Sequence, residues 1–372
     1  MTRLRKGRLV FIAVIFVLSI ILQTGCAFKD IDKRLFVIGI GIDPSEKEEG
    51  HYKITLKISI PIGSINETTG PTYTYLSHEG ETLAESIRIL ETHVDKVLEF
   101  GHAKIIVINE KLLGEEIGHF MDYFVRRADI QLIAWVAAAR PSAEEILKVE
   151  PSTEYAASSA LFDFFDSTGT ENPYIRSLFL FEFRRNYLAK GINVVVPLIE
   201  TNKDQQELII NKSLVLKENK KPLELTSVQT KQFNSNYFNM SGFSYKVESE
   251  GYLMLLNIQS ISMKYKIITE KGHPRIDMKV KLSGVVGESN KNLSLAKLDD
   301  YNKIASEEMK RKLMDLLMTL QKNEVDPFGF GLRYRATRLH EKNMMDKWES
   351  LYPEIDFNIS MSVELKSTGA IE

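Results

Sequence analysis

An α+β fold in three domains, with mixed and antiparallel sheets flanked by helices, is what this chain of 372 residues predicts. Three observations lead there. Short apolar runs alternate with amphipathic stretches through the first half, which suits strands packed against helices. The last third ends on a segment that alternates apolar and polar without error, as a strand with one wet face does. A hydrophobic content of 44% is that of an ordinary globular protein. Ahead of the fold stands a different kind of segment. Arg3, Arg5, Lys6 and Arg8 precede an apolar run over 9–22, broken by Ser19 and followed by Gln23-Thr24-Gly25-Cys26. A basic start, a short apolar stretch and a small residue before a cut predict a signal peptide over 1–25. The run is shorter than the roughly 20 apolar residues of a comfortable membrane span.

Cys26 is the single cysteine of the chain. Its place after a small residue resembles the lipobox of bacterial lipoproteins, where the thiol takes a diacylglycerol. Gln23 stands where that pattern usually has Leu. Cys26 is therefore read as a lipidation site, against an uncleaved anchor or a buried core cysteine. With no cysteine after it, no disulfide can form within the mature fold. Without the four signal cations, 44 Lys and Arg stand against 50 Asp and Glu. That balance excludes nucleic acid as a partner, which needs a basic footprint.

The elements follow from pattern. The run 35–42 reads as a buried strand, and Ile54, Leu56, Ile58 and Ile60 share a face of the next. The polar link 45–50 joins them as a hairpin. Thr82 and Glu85 form a capping box before a helix carrying Leu83, Ile87, Leu90, Val94 and Val97. Residues 102–108 read as a strand, and Leu112, Ile117, Phe120 and Phe124 mark a helix. Residues 131–139 form a buried strand, and Ser142 caps a helix behind Pro141. The polar stretch 201–206 is a linker. Residues 208–216 and 221–225 make a hairpin, and 226–232 a short helix. Strand character resumes at 252–258 and 260–269, then at 276–282. Met309, Leu313, Leu316, Leu317 and Leu320 mark a long amphipathic helix. A second, more polar helix covers 335–348. The last strand carries Ile355, Phe357, Ile359, Met361, Val363 and Leu365 on one face. The expected organisation is a signal peptide (1–25), an α/β-like N-terminal domain (26–200), a small middle domain (201–258) and a C-terminal α+β domain with an antiparallel sheet (259–372).

Catalytic patterns fail one by one. The seven histidines are scattered and form no zinc spacing. Gly39-Ile40-Gly41 opens a dinucleotide fingerprint, but Pro44 holds the third glycine position and no helix start follows. There is no nucleophile elbow and no phosphate-binding loop. The chain is expected to be no enzyme and to need no metal or cofactor. Asp326-Pro327-Phe328-Gly329-Phe330-Gly331 is the most distinctive internal segment. It reads as a helix stop or as a rigid loop that displays Phe328, Gly329, Phe330 and Gly331 to a partner. Phe162, Phe164, Phe165, Phe179, Phe181 and Phe183 read as core ahead of a docking surface.

Several segments in order resemble one family. They are Gly25-Cys26, Gly39-Ile40-Gly41-Ile42-Asp43, Phe100-Gly101-His102-Ala103-Lys104, Arg126-Arg127-Ala128-Asp129-Ile130, Asn193-Val194-Val195-Val196-Pro197, the Asp326 to Gly331 segment, Trp348 and Tyr352-Pro353. Together they are similar to the Ger(x)C family, the lipoprotein C-subunit of nutrient germinant receptors in spore-forming bacteria. Departures are Ala27-Phe28 where the family often has Trp, and Ser367-Thr368-Gly369 where it often has Arg-Thr-Gly. The resemblance implies a three-domain protein, anchored by a diacylglyceryl cysteine to the outer face of the spore inner membrane. It implies membrane-embedded A- and B-subunits as partners and spore germination as the role. The competing reading is a solute-binding lipoprotein of a transporter, which predicts two similar lobes around a cleft.

Overall fold

The computed structural model describes residues 33–60, 72–114, 117–150, 160–165, 172–202, 207–217, 220–269, 273–338 and 343–368. The signal segment and Cys26 lie outside them. Both sheets fall within one compact unit, Leu35–Glu372.

The larger sheet begins with the expected hairpin. β1 (Arg34–Pro44) and β2 (Tyr52–Ile60) pair antiparallel, with Ile40 opposite Leu56 and Ile42 opposite Ile54. β3 (Thr72–Gly80) adds an outer strand that no apolar run announced; its Thr and Tyr residues suit an edge half in water. Then come β4 (Val97–Glu99), β5 (Ile105–Asn109), β6 (Trp135–Arg140), β7 (Val195–Asn202), β8 (Glu207–Val215) and β9 (Leu223–Leu225). The order is β3-β2-β1-β5-β6-β7-β8-β9, with β4 beside β1. β1, β5, β6 and β7 are parallel, and the outer strands antiparallel.

Helices cover both faces. α1 (Leu83–Glu91), α2 (Ile117–Arg126) and α5 (Leu180–Leu188) share a core with Ile106, Ile108 and Val136. α3 (Ala143–Lys148) and α4 (Ala160–Asp163) share another with Ile105, Val107 and Ala137. A strand buried on both faces reads as an unbroken apolar run, which is why β5 and β6 showed no alternation. Thr82 and Ser142 cap α1 and α3 as expected, accepting the backbone N–H of Glu85 at 3.2 Å and of Glu145 at 3.1 Å. α1 ends at Thr92, earlier than the apolar spacing suggested, and Val97 belongs to β4. Gly39 and Gly41 serve packing. A Cβ on either would lie 2.9 Å from a Leu147 methyl, so these glycines let α3 lie close on β1.

The smaller sheet has the order β10 (Phe243–Ser249), β11 (Tyr252–Ile268), β12 (Arg275–Ser289) and β13 (Asp356–Leu365). It shares one core with α6 (Ser227–Phe238), α7 (Leu298–Lys322), α8 (Phe330–Ala336) and α9 (Met344–Leu351). The expectation of an antiparallel C-terminal sheet is corrected here. β10, β11 and β12 are antiparallel, but β13 runs parallel to β12, Val280 facing Met361. Alternation reports one buried face and carries no direction. The chain returns through α7, α8 and α9, so the last strand enters from the same end as β12 did. The single helix expected over 335–348 is two helices, α8 and α9. The segment 201–258, expected as a small middle domain, divides between the sheets. β8 and β9 extend the larger sheet, while β10 and the start of β11 belong to the smaller. α6 runs longer than its apolar residues suggested. Thr230, Gln232, Asn234 and Asn236 are buried in it; Thr230 Oγ1 donates to Leu225 O at 3.3 Å and Asn236 Nδ2 to Gln232 O at 2.8 Å, while Asn234 Nδ2 reaches Pro173 O at 2.8 Å, far off in sequence.

On the open face of the smaller sheet, Lys264 lies directly opposite Lys279, both exposed. Like charges at opposed positions weaken a strand pair. Lys279→Glu is therefore expected to raise stability by about 0.5 kcal/mol. Urea unfolding of the two proteins reads this directly, and a lower midpoint for the variant would contradict it.

Candidate functional site: the groove between the two sheets

In open sheets of parallel strands, ligands sit beyond the carboxyl ends of the strands. That region is filled here. Asp43, at the end of β1, accepts Asn109 Nδ2 at 2.8 Å and the N–H groups of Ala143 and Glu144 at 2.7 and 2.9 Å. It thereby joins the ends of β1 and β5 to the start of α3. Arg140, at the end of β6, donates to Glu110 at 2.6 Å, Glu200 at 2.9 Å and Glu224 at 2.7 Å. Those bonds hold its guanidinium firmly charged and pull the Glu224 carboxyl below its usual range. Lys212 closes the set on Glu200 and Glu224. Every charge in this cluster is answered from within the fold.

A large groove of about 820 Å³ lies elsewhere, where the two sheets' elements meet. Its walls include Asn186, Lys190, Lys217, Glu324, Trp348 and Glu349. Its floor is a backbone junction. Gly191, with φ +89°, lies against the backbone of Gly331, and Leu332 N–H donates to Gly191 O at 2.7 Å. Asn193 completes the join from both ends. Its N–H donates to Asp326 O at 3.0 Å, its Oδ1 accepts Asp326 N–H at 2.7 Å, and its Nδ2 donates to Leu216 O at 2.8 Å.

Asp326 is buried, and its two carboxylate oxygens accept Phe330 N–H at 3.1 Å and Gly331 N–H at 2.7 Å. Burial pushes its pKa up to about 7, and the backbone donors offset only part of that. At the rim, Glu324 takes Lys217 at 2.8 Å and Lys220 at 2.9 Å; these bonds lower its pKa to about 2. The groove thus holds charges of both signs and a buried acid committed to backbone donors. Nothing in it pairs a nucleophile with a base. Among the described residues, no group of three or more His, Cys, Asp or Glu is placed to hold a metal ion.

The loop from Asp326 to Gly331 is therefore buried at the junction and not displayed at the surface. Phe328 is 4% exposed and Phe330 0%, so the loop displays neither ring to a partner. The rings stack on each other at 5.5 Å, and Tyr265 meets Phe330 edge-on at 5.0 Å. Gly329 has φ +70° at the start of α8, and a Cβ on Gly331 would lie 2.4 Å from Trp348 Nε1. The helix-stop reading fits this placement: glycine permits the turn and the close approach. Sequence reasoning passed over Gly191 and the roles of Asn193 and Asp326. A signal was present in the Asp set four and five residues before the N–H groups it caps. Of the phenylalanine cluster, Phe162, Phe165 and Phe183 are core, whereas Phe181 is exposed.

Comparison with known proteins covers nearly the whole chain. Residues 28–201 match the family described as "Spore germination protein N-terminal domain", and residues 211–369 match "Spore germination B3/ GerAC like, C-terminal". The chain is 22% identical to spore germination protein KC of Bacillus subtilis (strain 168), over 96% of this chain and 95% of that one. It is 22% identical to spore germination protein GerQC of Bacillus cereus, over 96% and 99%. The crystal structure of the GerBC protein shares its fold, with a TM-score of 0.55 at 19% identity, covering 88% of this chain and 97% of that one. Two family descriptions that between them span both sheets settle the assignment: the chain belongs to the GerAC-like, or Ger(x)C, family of spore germination proteins.

Proposed function

We propose that this chain is the non-catalytic lipoprotein C-subunit of a nutrient germinant receptor. Diacylglycerol on Cys26 holds it at the outer face of the spore inner membrane, where it acts with membrane-embedded A- and B-subunits. The observation that carries this reading is the family match over 28–201 and 211–369, with Gly25-Cys26 directly ahead of it. Among the described residues no helix is long and apolar enough to cross a membrane. A diacylglyceryl group supplies two chains, where a single one gives marginal, reversible binding. Confinement to the bilayer raises the effective concentration of the chain near membrane partners without any new contact. The solute-binding alternative needs two similar lobes. The two sheets here differ in strand number, order and helix cover, which favours the receptor reading.

Two measurements on spores test the proposal. Cys26→Ala is expected to take up no fatty-acid analogue during growth, whereas the native chain is labelled. Equal labelling of both would remove the lipidation. The native chain is also expected to bring two integral membrane proteins with it when purified from detergent-solubilised spore membranes. Purification of the chain alone would count against the receptor role.

A further inference from the structure

Three exposed large apolar side chains gather at one end of the larger sheet. Ile133 is 62% exposed, Leu132 42% and Phe181 41%. They are neighbours, because Phe181 N–H donates to Leu132 O at 2.9 Å and Leu180 N–H to Ala134 O at 2.8 Å. Behind them runs an aromatic ladder. Phe181 stacks on Phe179 at 5.7 Å, and Phe179 on Trp135 at 5.9 Å. Trp135 in turn meets buried Phe165 at 6.1 Å, so the half-buried rings brace the outer side chains against the core.

The register fixes which end this is. β1, β5 and β6 are parallel, with Gly39 beside Ile105 and Ile105 beside Trp135. Residues 132–134 precede β6, so they stand at the end of the sheet where β1 also starts. Two strand spacings, about 10 Å, separate β1 from β6. Val97 of β4, 62% exposed, belongs to a strand paired with β1. The unit starts at Leu35, nine residues after Cys26. However that stretch runs, nine residues reach at most about 32 Å. On α5, Arg184 follows Phe181 by three residues and is also exposed. Apolar and aromatic side chains beside an arginine suit the interface between headgroups and acyl chains.

We propose that the surface formed by Leu132, Ile133 and Phe181 inserts into the lipid interface and fixes the orientation of the larger sheet, strand starts toward the membrane. The proposal rests on the lipid-anchor reading above for its tether, and on the exposed side chains for its contact. A surface of this kind would give the larger sheet a defined pose and add a second attachment.

The test uses the full chain in vesicles of phosphatidylethanolamine and phosphatidylglycerol. Cys26 is the single native thiol and is consumed by acylation in this reading. Ile133→Cys, Phe181→Cys and, at the far end of β1, the exposed position in Glu46→Cys each then receive one environment-sensitive fluorophore. At 133 and 181 the emission should shift to the blue and lose most of its intensity on brominated lipid. At 46 it should do neither. Ile133→Cys is on the surface and is not expected to disturb folding; matching circular dichroism with the native chain checks this. Labels at 133 and 181 as aqueous as at 46 would overturn the proposal. Labels that leave water only after a spore membrane extract is added would overturn it in favour of a protein partner. Fatty-acid labelling of the same samples is read separately. Acylated chain with aqueous labels sinks the surface alone, and unacylated chain with inserted labels sinks the anchor alone.

Discussion

Gly191→Val should cost the fold roughly 2–6 kcal/mol and loosen the junction between the two sheets. Gly191 has φ +89°, where a β-branched side chain is strained. Its Cβ would also lie 2.5 Å from Gly331 C and 2.6 Å from Leu332 N, which are backbone atoms with no rotamer to change. The valine must either break the bond from Leu332 N–H to Gly191 O or push α8 away. Gly50→Ala is the control. Gly50 has φ +81° with nothing within 4 Å of its Cβ position, so it reports backbone strain alone. Thermal and urea unfolding of both variants separate the two terms. A Gly191→Val chain as stable as Gly50→Ala would show that the close approach carries no weight.

Asp326 should make stability fall as pH rises, opposite to the carboxylates that the fold lowers, Glu144, Glu224 and Glu308 among them. Its unfolded carboxyl titrates near 3.8 and its folded one near 7, because burial disfavours the charge. Between those values the folded chain keeps a proton that the unfolded chain has lost. The stabilising contribution is complete below pH 3.8 and is lost as pH rises through about 7. Glu144, Glu224 and Glu308, lowered in the fold, act in the opposite sense: their contribution is present above the unfolded pKa and lost as pH falls. Asp326→Asn removes the one carboxylate among the described residues whose pKa is raised by folding. Its amide oxygen still accepts an N–H, but one donor of Phe330 and Gly331 loses its partner, at about 1–3 kcal/mol. The variant is therefore expected to be less stable than the native chain at about pH 5 and to close that gap toward pH 8. Parallel stability profiles across that range would show that Asp326 does not titrate in the fold.

What the sequence made legible was set by how each element is buried. β1, β2, β5, β6 and β13 were read because their apolar residues are aliphatic and their cover is simple: two faces for β5 and β6, one for β13. β3 was missed because its exposed edge is built from Thr and Tyr. α6 was underestimated because most of its buried side chains are amides and hydroxyls, which interrupt the apolar spacing of a helix. The direction of β13 was misjudged, since a period of two is the same in parallel and antiparallel pairs. At the candidate site the glycine-rich loop was visible, but its role was not. A glycine that meets another glycine 140 residues away in sequence, as Gly191 meets Gly331, leaves no local pattern. The groove depends on that long-range meeting, so pattern reading could not place it.

The parallel partnership of β12 with β13 has a consequence for how the chain is made. The larger sheet needs nothing beyond Leu225, so its pairings are complete while the rest is still being synthesised. The smaller sheet waits for Asp356–Leu365, almost the last residues to appear. Until then β12, fifteen residues long, is an open edge. A nonsense change between Ser289 and Asp356 would free that edge permanently, and the expected product is an aggregating fragment rather than a working shortened chain.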